Sequence, residues 1–174
     1  MRDEAGFVEF AEASRGQLRR TAYLMCGDWD QASDHVQEGL IRVYVAWPRL
    51  TRAGREYAYA RKAVVSAFLD HARRRSSSEV PTEPDHDRPS GQDVAESVAS
   101  RAALMSGLAD LPSRQRACVV LRYFEDLSVA DTAAVLGCTE GTVKSQTSRA
   151  LASLRSMFEG SPVGGLAVEG ATSW

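Results

Sequence analysis

The 174 residues hold only three cysteines, two lysines and three histidines, and no run of eighteen apolar residues occurs. The cysteines, Cys26, Cys118 and Cys138, are odd in number and far apart. That argues against a disulfide framework and fits small, reduced core residues in a cytoplasmic protein. His35, His71 and His86 share no ligand spacing with them, so no metal site is expected. Without a long apolar run a membrane-spanning helix is not expected, and the opening MRDEAGFVEF is acidic where a secretion leader would be basic. No nucleophile and base pair and no phosphate-cradling glycine loop marks an enzyme, and neither a cofactor nor a small-molecule substrate is implied.

Proline, also scarce, is concentrated: three of the six fall between Arg75 and Ala102. That stretch has no large aromatic residue and cannot bury enough surface to offset chain entropy. It divides the chain into a helical domain over 1–75, a flexible linker over 76–100, a second helical domain over 101–158 and a disordered tail over 159–174. The net charge of −2 conceals an uneven distribution: +3 over 1–75, −5 over 76–100, +2 over 101–158 and −2 in the tail. Two such weakly basic domains are expected to bind DNA poorly alone, because phosphate neutralisation supplies most non-specific affinity.

From Leu111 onward apolar residues recur at helical spacing, and no stretch reads as a strand. Pro112 suits a first turn, and Ala117, Val120, Leu121 and Phe124 form one face. Ser128 and Asp131 make a capping box before a short helix with Val129, Thr132, Ala133 and Leu136 inward; Gly137 ends it and Thr139 caps the next. On that last helix Val143, Thr147, Ala150, Leu151, Leu154 and Phe158 face inward. At about 100° per residue, Thr142, Ser145, Ser148 and Arg149 face away, flanked by Lys144 and Gln146. These residues describe either a helix-turn-helix with a DNA-reading face or a three-helix bundle with a solvated polar side.

LPSRQRACVVLRYFEDLSVADTAAVLGCTEGTVKSQTSRALASLR resembles, without a gap, the C-terminal promoter-binding domain of extracytoplasmic-function (ECF) sigma factors, the SigE-like group of the sigma-70 family. The resemblance implies an all-α, two-domain protein that binds core RNA polymerase and directs promoter-specific initiation. It assigns minus-35 contacts to Thr142, Lys144, Ser145, Gln146 and Arg149. Gln146 stands where arginine is frequent, which favours adenine over guanine.

In the N-terminal domain Phe7, Phe10, Ala11, Ser14, Leu18, Ala22 and Met25 predict a helix closing near Cys26 and Gly27. A second begins near Gln31, carries Val36, Leu40, Val43, Tyr44 and Trp47 inward and ends at Pro48. A third turns Tyr57, Ala60, Val64, Ala67, Phe68 and His71 inward. DWDQASDHVQEGLIRVYVAWPRL resembles the sigma segment that docks on polymerase, which places Asp34, Gln37 and Glu38 at the enzyme; by charge pattern alone they are a solvated helix face. The loop Arg49–Arg55 and YAYARKAVVSAFLDHARRR resemble the part that captures an unpaired minus-10 base. That implies DNA contacts for Arg52, Arg55, Tyr57, Arg61, Lys62, Ser66 and Arg73, since strand opening is offset by cations and aromatic stacking. Tyr57 and Tyr59 read equally as stacking groups or core. Ser66, where asparagine is common, and His71, where an aromatic is usual, depart from the family pattern.

The resemblance also implies an inhibitory anti-sigma partner. The rival reading is a stand-alone helix-turn-helix regulator with a sensing or dimerising N-terminal bundle, which requires tight DNA binding without polymerase. The acidic linker is expected to lie against the basic faces and suppress stray DNA binding. Neutralising its carboxylates should raise non-specific affinity in a filter-binding titration, and an unchanged curve counts against that role.

Overall fold

The computed structural model describes residues 3–51, 54–77 and 95–159, the side chains of 95–98 excepted. Seven α-helices and one π-helical turn make up the described residues, which contain no strand. Helix α1 (Glu4–Cys26) starts where the Asp3 carboxylate accepts the Gly6 N–H at 2.9 Å and stops at Gly27, which takes the left-handed φ of 79°. One residue later Asp28 caps α2 (Trp29–Leu50), accepting from the N–H groups of Asp30 at 2.8 Å and Gln31 at 2.7 Å. The cap sets the start two residues before Gln31.

Pro48 does not end α2. In the final turn its missing N–H costs one bond, and Thr51 still donates to the Trp47 carbonyl at 3.2 Å. Helix α3 (Glu56–Ser77) then packs back along α2. The two backbones approach closely at Gly39, where a Cβ would stand 2.6 Å from Val64 Cγ2 and 3.2 Å from Val64 N. Around this crossing Leu18, Ala22, Val36, Leu40, Val43, Trp47, Ala60 and Val64 form one core, and Phe7 meets Trp47 edge-on at 5.5 Å.

The second unit opens with α4 (Ala95–Asp110), a helix that sequence reading missed and that begins inside the stretch read as linker. The remaining expected helices of this unit form, with one change of pitch. Helix α5 (Ser113–Val119) has Pro112 as its cap rather than in its first turn, and it runs into a π-helical turn, Val120–Phe124. Glu125 donates its N–H five residues back to Val120, and Asp126 takes a φ of 51°. The added residue per turn rotates Phe124 off the inner face, leaving it 45% exposed, against the expectation from helical spacing. Helices α6 (Val129–Leu136) and α7 (Glu140–Glu159) follow. Ser128 Oγ accepts from Asp131 N–H at 3.0 Å, Gly137 has φ 62°, and Thr139 Oγ1 accepts from Thr142 N–H at 3.1 Å.

The two units share a core. Met25 of α1 with Val65 and Phe68 of α3 sit in one cluster with Ala117, Cys118, Val120, Leu121 and Leu136. Arg116 reinforces the junction: Nη1 donates to the Met25 carbonyl at 2.6 Å, while Nη2 donates to the carbonyls of Ala109 at 2.6 Å and Leu111 at 3.0 Å. This supplies the Met25 carbonyl, in the last turn of α1, with a donor.

Candidate nucleic-acid interface and polymerase face

Helix α7 turns Val143, Ala150 and Leu154 into the protein. Lys144, Ser145, Ser148 and Arg149 are exposed, and Gln146 is half-buried. Thr142 is half-buried as well, with its hydroxyl 2.9 Å from that of Thr139. The turn Gly137–Thr139 holds α7 against α6, where Thr132, Ala133 and Leu136 are buried. What projects is therefore a cationic, hydroxyl-rich helix face opposite a packed one, suited to phosphate oxygens and base edges.

On α2, Asp34 and Gln37 are exposed, while Glu38 is half-buried and pairs with Arg42 one turn on. Beside them Ile41 and Val45 stand 58% and 61% exposed, large apolar side chains left mostly uncovered by the described residues. Sequence reading did not single these two out. The signal was present: both fall outside the apolar stripe Val36, Leu40, Val43 and Trp47 while continuing the four-residue step from Gln37.

The residues read for minus-10 divide. Arg55, Lys62 and Arg73 are exposed, and Arg73 pairs with Asp70 at 2.9 Å. Ser66 is half-buried. Arg52 lies outside the described residues, as do the linker segment 78–94, its suggested contact with the basic faces, and the tail from 160. Tyr59 is exposed, whereas Tyr57 packs against the first core with its hydroxyl buried. Burial, then the nearby Glu125 charge, pushes the Tyr57 phenol up to about 12. Arg61 does not point into solvent: Nη1 meets Glu125 Oε2 at 3.2 Å, and the side chains are 14% and 1% exposed. Glu125 comes from the second unit, a pairing no local pattern signals.

The other titratable groups of note are structural. Burial raises the thiols of Cys26 and Cys118 to about 11, which keeps both protonated near neutrality. Burial and the neighbouring His71 ring, 5.5 Å away, hold His35 below its ordinary value. Among the described residues no cluster of three or more ligating side chains could hold a metal, and no helix is long and apolar enough to cross a membrane.

Residues 10–78 match the family Sigma-70 region 2, and residues 101–154 match Sigma-70, region 4. The chain belongs to the sigma-70 family. Within it, the similarity is to ECF sigma factors. The RNA polymerase sigma-E factor of Streptomyces avermitilis is 37% identical over 163 residues, covering 94% of this chain and 90% of that protein. Its Streptomyces coelicolor counterpart is 38% identical over 149 residues, 86% and 84% of the two chains. The ECF RNA polymerase sigma factor SigM of Mycobacterium tuberculosis is 32% identical over 152 residues, 87% and 76%. In fold, this sigma factor superimposes on the Bartonella quintana sigma factor RpoE, solved in complex with the anti-sigma factor NepR. The TM-score is 0.69 at 23% identity, over 88% of this chain and 97% of the other. Family membership favours the initiation factor over the stand-alone regulator.

Proposed function

We propose that this sigma factor binds core RNA polymerase through α2 and directs it to promoters by reading the minus-35 element with α7 and the minus-10 element with α3 and the loop before it. Both elements and the enzyme place its action in the cytoplasm. The observation that carries the reading is the exposed row Lys144, Ser145 and Arg149 on the second helix of a packed helix-turn-helix. Asp34, Gln37 and Glu38 supply a polar rim to the enzyme and Ile41 and Val45 its apolar centre, the usual anatomy of a protein interface. Weak phosphate neutralisation by either unit is compensated by the enzyme. Two modest DNA contacts then reinforce each other only at the right promoter spacing. An anti-sigma factor could silence the protein by covering either surface.

Run-off transcription with core polymerase on a library of upstream sequences tests the function: initiation should depend on the added protein. Transcription indifferent to it returns the case to the stand-alone regulator. The docking face has its own test. Ile41→Asp should weaken co-elution with core polymerase by about tenfold or more, because it desolvates a charge at the apolar centre. Unchanged co-elution moves the enzyme-binding face elsewhere.

A further inference from the structure

Among the described residues, the most deeply buried ion pair joins the two units. The Glu125 side chain, 1% exposed, accepts a hydrogen bond from the Thr21 hydroxyl of α1 and pairs with Arg61 of α3, beside the buried Tyr57 hydroxyl. The π-helical turn and the left-handed Asp126 direct this carboxylate across the junction. Arg61 Nε is buried and has no acceptor, so the pocket has a donor to spare. A hydroxyl and a guanidinium with a free N–H converge on one carboxylate, and the buried Tyr57 hydroxyl beside them has no partner of its own; such an oxyanion site suits a phosphate oxygen equally.

Geometry adds a constraint. The names of the two promoter elements put them about 25 base pairs apart, roughly 85 Å along B-DNA. Units that share a core are only about one small-domain diameter apart, about 30 Å. The closed molecule cannot reach both elements, so it must open on the promoter, and the pocket must then lose Glu125.

We infer that Glu125 is an internal substitute for a DNA phosphate: it fills the Thr21, Arg61 and Tyr57 pocket in the free protein, and a backbone phosphate of the opened minus-10 strand replaces it on the promoter. This rests on the assignment of α3 to minus-10 and adds Thr21 and the pocket to it. The protein therefore holds its own strand-binding site shut until polymerase and promoter separate the units.

The test is fluorescence anisotropy of a labelled mixed-sequence single-stranded DNA against the full chain. Glu125→Gln should bind about tenfold tighter than wild type, and its log affinity should fall more steeply with log salt by about 0.7, the value for one more phosphate on a single strand. Adding Arg61→Ala to Glu125→Gln should remove both gains. The exposed neighbour Asp126→Asn controls for the lost charge and should leave affinity within about twofold of wild type. Equal affinity and slope for Glu125→Gln and wild type, or an equal gain from Asp126→Asn, overturns the inference. Run-off transcription with the wild-type chain separates the two claims: initiation there with no Glu125→Gln effect removes the latch and leaves the promoter-reading function standing.

Discussion

Changing both Lys144 and Arg149 to alanine should lower run-off transcription from a promoter with its own minus-35 element by about a hundredfold. Each contact to a phosphate or base edge contributes about 1 to 3 kcal/mol, and two well-separated contacts add roughly. Both side chains are exposed on α7, and alanine favours a helix, so the melting curve should move by no more than about 0.5 kcal/mol equivalent. The control is a template whose minus-35 sequence has been scrambled. On it wild type and double variant should initiate alike, because the contacts removed are then of no use. Equal loss on both templates would mean that α7 acts through the enzyme instead of through DNA.

Most local structure was legible because it is set by near neighbours in the chain. The Ser128 cap on Asp131, the stop at Gly137 and the start at Thr139 each act within about four residues and appear where expected, although the Asp131 carboxylate accepts from the Ser128 hydroxyl rather than from the backbone N–H of a full capping box. The exposed side of α7 follows from the same periodicity. Three features were not legible, each for a physical reason. Helix α4 is rich in alanine and serine, so its apolar stripe is too weak to stand out from the polar stretch before it. The π-helical turn inserts a residue that no composition marks, and it turned Phe124 outward against its spacing. Pro48 read as a terminator because the sequence does not show that a last turn can tolerate one lost donor.

The largest difference lies between the units. Periodicity identifies a buried face without saying what covers it. Met25 and Phe68 read as ordinary core positions of the first bundle, and Leu121 and Leu136 as those of the second, yet they meet one another, together with Val65, which the helical spacing did not mark. Arg61 illustrates the same limit for charge: by sequence it is one more basic residue on the minus-10 helix, and in space a distant carboxylate holds it. The weak net charge of each unit, the enzyme-supplied affinity and this closure agree in direction. On the proposed reading, all three act to keep the free protein off DNA.

A shared core has a consequence for stability. Leu121→Ala should cost about 2 to 5 kcal/mol, the range for a fully buried leucine whose surroundings relax only in part. Leu121 has no exposed surface and lies in the cluster with Met25, Val65 and Phe68. For a chain of this length the melting temperature should fall by about 5 °C or more. Because the lost contacts belong to both units, the helical signal should still disappear in one transition, without the first unit persisting. Leu104→Ala on α4, at a side chain 42% exposed, should change little by comparison. Circular dichroism melts of the three proteins decide it. A Leu121→Ala loss below about 1 kcal/mol, or an early transition that leaves α1, α2 and α3 folded, would mean that the units are stable apart and that the junction contributes little to holding them closed.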